Sequence, residues 1–329
     1  MTAAPAVAAA GRRRPGGLAW LVLRQHRGTV LTASAVLLVA VAQLVFLRLA
    51  MVSVIDGMDL RQACAPTGLD CVRSWSGADR FIAGYGDALH YNGLLVEILP
   101  ALIAAFTAGP LIARELESGT CKLAWTQSVT PLRWLAAKLA LPLTASLAGA
   151  GLLSAVYTWT WSVVPPALLP GRQWYQSFDM IGVVPVAGAV LGTGVGALAG
   201  VLVRRTLPAM AVALAGYPTL TGALARMRPY LLGADTATSA GMPALTGDDS
   251  WRFERGMTGN GGARIPEPDC GVGVSPEKCL AQHHADQWYL DYHPASHLWP
   301  LQWIEGGLLA ALGVLAGWAA LRLVRRLQP

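Results

Sequence analysis

The sequence predicts an all-α integral membrane protein with six transmembrane helices and both termini in the cytoplasm. Three observations carry that class. Of 329 residues, 54% are hydrophobic and 13% charged, where a soluble domain carries about 25% charged residues. The mean hydropathy is +0.44, which excludes a soluble globule, a disordered chain and a disulfide-rich secreted scaffold together. The basic residues punctuate apolar runs instead of forming a face, so the net charge of +6 is no nucleic-acid footprint.

An apolar run of about 18–25 residues spans the hydrocarbon core as a helix, at about 1.5 Å per residue. Six runs qualify, near 29–51, 93–112, 135–161, 179–203, 207–224 and 299–321. They are continuous and lack the period-two alternation of barrel strands. Residues 1–28, the 113–138 connection, Arg204-Arg205 and the tail after Leu321 hold 14 of the 25 basic residues. The same segments hold only Glu115 and Glu117 of the 19 acidic residues. Lys and Arg in short loops bias them to the cytoplasm, and this side is therefore read as the inner one.

The chain divides accordingly. Residues 1–28 are a cytoplasmic N-terminus in which 17–28 read as an interfacial amphipathic helix, with Trp20 in lipid and Arg24 and Arg27 at the phosphates. Residues 29–224 carry helices 1–5, with an extracellular loop at 52–92 and an inner segment at 113–134. Residues 225–298 are a sizeable extracellular loop region between helices 5 and 6, too long for a structureless connection. Residues 299–329 are helix 6 and a basic cytoplasmic tail. Trp159, Trp161, Trp174, Trp299 and Trp303 fall at outer helix ends, as an interfacial belt.

Cysteine spacing agrees with this topology. Cys64 and Cys71 lie in the first outer loop and Cys270 and Cys279 in the last, while Cys121 stands by itself inside. Close pairs outside predict the disulfides Cys64–Cys71 and Cys270–Cys279. Neither spacing matches a zinc knuckle. His283, His284, His293 and His297 gather with Asp286 and Asp291 in the last outer loop, in no recognised metal pattern. No nucleophile elbow and no P-loop occurs in the chain, so neither catalysis nor a cofactor is expected on it.

Within the spans, Gly188, Gly192, Gly196 and Gly200 recur every four residues. That places them on one helix face, where backbones can pack closely. Glu97 and Glu305 each lie about four to six residues into an outside-to-inside span, roughly 6–9 Å deep. Carboxylates at such depth mark pathways or gates, against the alternative of interfacial groups in a first helical turn.

The inner segment is the most informative. Ala113-Arg114-Glu115-Leu116-Glu117-Ser118-Gly119-Thr120 is charged and helix-favouring, then broken by glycine. Ala124-Trp125-Thr126-Gln127-Ser128-Val129 and Arg133-Trp134-Leu135 with Lys138 follow. Together with His293-Pro294-Ala295-Ser296, Trp299, Gln302-Trp303 and Glu305, these residues resemble the ABC-2-type transporter permeases, in particular the actinobacterial drug-export branch. Cys121 and His297 depart from the pattern, standing where a more basic residue is expected.

The resemblance implies an ABC-2-type permease fold and an exporter subunit for an amphipathic drug-like or lipid-like substrate. ATP and Mg would be bound by a separate ABC ATPase subunit, with a second permease copy or paralogue completing the transporter in the cell membrane. It also implies that Arg114, Glu115, Glu117, Gly119 and Thr120 form a coupling helix against the ATPase. The readings from other classes are a membrane-anchored enzyme using Glu97, Glu305 and the outer histidines, and a membrane scaffold without transport.

Overall fold

The computed structural model describes residues 27–57, 79–121, 130–165, 173–243, 249–259, 261–267, 269–271 and 273–326. Cys64, Cys71, residues 1–26 and the Ala124–Val129 motif lie outside these. Eight α-helices are described: α1 (Arg27–Gly57), α2 (Asp87–Ile103), α3 (Gly109–Ser118), α4 (Pro131–Trp161), α5 (Val184–Val203), α6 (Thr206–Met227), α7 (Pro276–Gln282) and α8 (Leu298–Arg325). A π-helical turn, Ala104–Ala108, joins α2 to α3, and another, Ile82–Gly86, precedes α2.

Six helical stretches are long and apolar enough to cross a membrane: Val30–Gly57, Asp79–Ser118, Pro131–Trp161, Val184–Val203, Thr206–Tyr230 and Ala295–Arg325. The second is far longer than the apolar run suggests. Its first turns are polar (Asp79, Arg80, Asp87, His90), so hydropathy alone detects only its later half. Conversely, residues 179–183 are turns, and α5 begins at Val184, directly before Pro185. Proline favours a helix's first turn, because its missing N–H has no intrahelical partner there.

Helix α5 is the axis of the bundle. In its most apolar stretch 72% of the residues are buried, against 11–44% in the other five spans. It packs against α8, α6, α4, α3 and α2. The spans around it turn Leu38, Phe46, Leu95, Phe106, Leu207 and Leu315 outward. The pattern suits a medium of lipid, where apolar side chains face outward and backbones meet inside through small residues.

The fold is not all-α. A four-stranded antiparallel sheet of order β1-β4-β2-β3 stands between the fifth and sixth spans: β1 (Asp235–Ser239), β2 (Trp251–Gly259), β3 (Arg264–Pro266) and β4 (Ala285–His293). β4 is the aromatic-rich central strand, and its Tyr289 lies opposite Gly256 of β2. A Cβ at Gly256 would lie 2.8 Å from the Tyr289 hydroxyl, so the ring covers a position only glycine leaves open. The short outer strands β1 and β3 limit the unpaired sheet edge.

Met257, Cys279, Leu280 and Trp288 form a small core beneath this sheet. Cys270 and Cys279 form a disulfide with Cα atoms 5.6 Å apart. It fastens α7, whose N-cap Ser275 accepts from the Lys278 amide. Trp174 is no belt residue. It is buried, donates its indole N–H to the Asp249 carbonyl at 3.0 Å, and meets Trp251 edge-on. Trp159, Trp299 and Trp303 are exposed.

The sheet meets the bundle at His293, which is fully buried between Phe253 and Trp251. Its Nε2 lies 3.0 Å from the Pro229 carbonyl and must therefore carry the proton, leaving Nδ1 to accept from His297 Nδ1 at 3.0 Å. Burial pushes the His293 imidazole below its ordinary value of 6.5. The Pro229 hydrogen bond and Asp235 oppose the shift and His297 assists it. The unfolded chain then binds the proton more readily than the folded one. Stability at this junction is complete above about pH 6.5 and falls as the pH drops through that value. Amide exchange in β1 and β4, corrected for its intrinsic rate, should accelerate between pH 7.5 and 5.5 in the wild type and stay flat in His293→Asn.

Candidate functional site

Two side-chain clusters lie at opposite ends of the bundle. At the sheet-bearing end, Arg228 begins a 3-10 turn directly after α6 and is 6% exposed. Its Nε donates to Glu305 Oε2 at 2.6 Å and its Nη2 to Glu305 Oε1 at 2.8 Å. Nη2 also donates to Asp179 Oδ1 at 2.6 Å. The guanidinium carbon sits 4.1 Å from the centre of the Phe178 ring. Glu305 is 2% exposed. A planar fork matched to a carboxylate in this way is the geometry in which arginine tolerates burial.

One turn ahead of Glu305 on α8, Gln302 is fully buried and bonded at both ends of its side-chain amide. Its Nε2 donates to the Phe178 carbonyl at 2.7 Å, and its Oε1 accepts from the amides of Val183 and Val184 at 3.0 and 3.1 Å. Gln302 thereby satisfies amides at the start of α5 that have no intrahelical acceptor. From α4, Ser154 donates to the Gly182 carbonyl at 2.9 Å, and Thr158 accepts from the Gly182 amide at 3.2 Å. Gly182 has φ +69°, and a Cβ there would sit 2.8 Å from Gln302 Oε1. The non-helical 173–183 segment is therefore pinned to α4, α6 and α8 by side chains, as irregular backbone near a bilayer must be.

Glu97 approaches this cluster from α2. The charges of Asp179 and Arg228 act on Glu97, whereas the guanidinium's direct contacts are to Glu305 and Asp179. Glu97 is exposed and Glu305 buried. A lateral groove of about 440 Å³ opens nearby between α4, the 173–183 segment and α8, with Trp159 and Trp299 in its wall.

At the other end, α3 stops at Gly119, which has φ +72° and forms a left-handed C-cap. Thr120 is exposed, 3.0 Å from Ser118 Oγ, and Cys121 turns inward. Glu115 accepts from Trp134 Nε1 at 3.0 Å and pairs with Lys138 Nζ at 2.5 Å, both on α4. Glu117 accepts from the Thr206 amide at 2.9 Å and the Thr206 hydroxyl at 2.7 Å, at the first turn of α6. A carboxylate there complements the positive end of the helix dipole. Both carboxylates thus turn toward the chain's own helices, while Arg114 is exposed.

The family model for ABC-2 membrane transporter related proteins matches residues 34–228. The chain belongs to that family. No curated protein and no solved structure matches it. As a multi-pass membrane transporter subunit, this ABC-2-related chain carries Glu97, Asp179 and Arg228 within the matched region, whereas Glu305 and Gln302 lie beyond it. Gly188, Gly192, Gly196 and Gly200 face the second span at Pro100, Ala104, Gly109 and Ile112.

The histidines between the fifth and sixth spans do not assemble into one centre. His293 and His297 meet each other, Asp291 pairs with Arg264, and His283 lies by the disulfide. The ligand atoms of Cys270, Cys279 and His283 fall within 4.8 Å of one another, but the disulfide occupies both sulfurs. Arg228, Asp179 and Gln302 are site residues that sequence reasoning missed. Gln302 had a signal, one turn from Glu305 on the same span, whereas Arg228 and Asp179 stand at the ends of apolar runs, where a charge is ordinary.

Proposed function

We propose that this chain is the membrane-spanning permease of an ATP-driven exporter, with both termini and the α3 end in the cytoplasm and 225–298 outside the plasma membrane. It moves an amphipathic drug-like or lipid-like substrate outward by alternating access. ATP and Mg belong to a separate ABC ATPase, and a second permease copy completes the pathway. The observation that carries this reading is the braced knob at the end of α3. Glu115 ties it to α4 and Glu117 ties it to α6, so a push on Arg114, Gly119 or Thr120 is delivered to two further spans at once.

On this reading the carboxylates transmit force and the exposed residues receive it. Alternating access then needs two packings of the bundle, each favoured by a different nucleotide state of the partner. The Arg228–Glu305–Asp179 cluster joins α6, α8 and the 173–183 segment at the opposite end, where an outer gate is placed. Glu97 lies on its accessible side.

Reversing both charges, Glu115→Lys with Glu117→Lys, is expected to cut substrate transport at least tenfold while the co-purified ATPase keeps turning over. Proteoliposomes carrying both subunits provide the measurement. Unchanged transport in the double variant would remove the coupling assignment.

A further inference from the structure

We infer that the lateral groove between α4 and α8 holds one acyl chain of a phospholipid from the leaflet at the sheet-bearing end, with the lipid phosphate beside Arg48. The inference rests on the membrane-spanning fold and is independent of the exporter reading. The α4 wall of this groove of about 440 Å³ is Gly151, Ser154, Ala155, Thr158, Trp159 and Ser162. They recur at the three- and four-residue spacing of a single helix face. The facing wall is the 173–183 segment with Trp299 of α8.

Length and chemistry together select the occupant. From Gly151 to the C-cap Ser162, α4 rises about 16 Å at about 1.5 Å per residue. Half of a hydrocarbon core about 30 Å thick is nearly the same depth, so the groove accommodates the chain of a single leaflet. Its hydroxyls are committed to the protein: Ser154 donates to the Gly182 carbonyl, Thr158 to the Ser154 carbonyl and Ser162 to the Trp159 carbonyl. Among the described residues that line it, none is charged. The walls therefore offer hydrocarbon contact to an apolar chain and little to a polar ligand.

The end of the groove where α4 stops and α8 starts is built differently. Trp159 and Trp299 are both exposed there, as indoles are at headgroup level. Arg48 of α1 lies over the Trp159 ring, 4.0 Å from its centre, and donates to the Trp159 carbonyl. A cation thus stands at the headgroup end of an apolar channel, and a guanidinium fork matches phosphate geometry. That charge complementarity favours a phospholipid over an apolar helix of a second copy. Toward the membrane interior the groove is open at Gly151, where a Cβ would meet nothing within 4 Å.

Native mass spectrometry of the full chain released from nanodiscs tests this, with phosphatidylglycerol and a diacylglycerol of identical chains as competing lipids. The wild type should retain one phosphatidylglycerol in preference to the diacylglycerol by about fivefold, the worth of one cation near a phosphate. Gly151→Leu should cut that retention about tenfold, because a branched side chain then occupies the channel. Gly317→Leu on α8, where a new Cβ also meets nothing within 4 Å, should leave it unchanged. Arg48→Gln should bring the two lipids to about equal retention. Equal retention by the wild type and Gly151→Leu, equal loss in both glycine variants, or no preference for the phosphate-bearing lipid in the wild type would overturn the inference. So would a dimer of the chain that Gly151→Leu dissociates without releasing lipid, which would assign the groove to a second copy.

Discussion

Glu305→Ala is expected to destabilise the folded chain by about 3–5 kcal/mol, because it leaves a buried guanidinium without its bidentate partner. Arg228 is 6% exposed and Glu305 2%, so neither can recover its lost partner from bulk water. Asp179 retains one contact to Nη2 at 2.6 Å, which holds the loss toward the lower end of the range. The pair itself is worth far less than its rupture costs, since desolvating two ions offsets most of their attraction. Arg228→Met combined with Glu305→Leu should therefore recover most of the stability lost by either single variant. Reversible unfolding of the full chain in mixed micelles gives the double-mutant cycle. A double variant as unstable as Glu305→Ala would mean that packing, and not charge pairing, dominates this cluster.

The same cycle separates stability from transport. If the cluster locks α6 and α8 to the 173–183 segment, the apolar double variant should stay folded and yet transport poorly. Its gate would have lost the polar contacts that discriminate the two packings.

How far the sequence alone reaches depends on the range of each interaction. The six spans follow from hydropathy and the glycine face of α5 from a four-residue spacing, because both are local properties of one helix. Glu97 and Glu305 stand out because a carboxylate in an apolar run is expensive wherever it points. Asp179 and Arg228 do not stand out, since both lie at the ends of runs where a charge is ordinary. They become significant only once residues 49 and 77 positions apart meet.

The sheet was hidden for another reason. β2 begins with a legible alternation, Trp251-Arg252-Phe253-Glu254, but its register shifts between Arg252 and Glu254. A bulge moves every later side chain to the other face, so no simple period-two pattern survives. Likewise, Glu115 and Glu117 read from sequence as two charges on a solvated knob. Only the packing of α3 against α4 and α6 reveals that Glu115 is paired with Lys138 and that Glu117, though exposed, is bonded to Thr206.

The second large effect concerns the α5 glycines. A methyl at Gly192 would overlap the Pro100 carbonyl, one at Gly196 would come within 2.5 Å of the Ala104 carbonyl, and one at Gly200 within 2.7 Å of the Gly109 carbonyl. Each obstacle is backbone, which cannot swing aside as a long side chain could. Gly194 makes an equivalent approach to Gly313 of α8 on another face, so α5 is held between two backbones. Pro100 lacks an N–H to complete the helical ladder, and the π turn at Ala104–Ala108 follows within a few residues. The second span is therefore irregular along the stretch where α5 presses on it. Gly192→Ala and Gly194→Ala should each cost about 1–3 kcal/mol by overpacking. Gly307→Ala and Gly317→Ala on α8, where a new Cβ meets nothing within 4 Å, should be neutral or stabilising by up to about 1 kcal/mol. Thermal unfolding of the four variants in one lipid composition compares them directly. Equal stability across the set would dismiss close backbone approach as the reason for glycine in α5. A selective loss at 192 and 194 would locate the bundle's tightest crossings on its central helix, midway between the α3 knob and the Arg228 cluster.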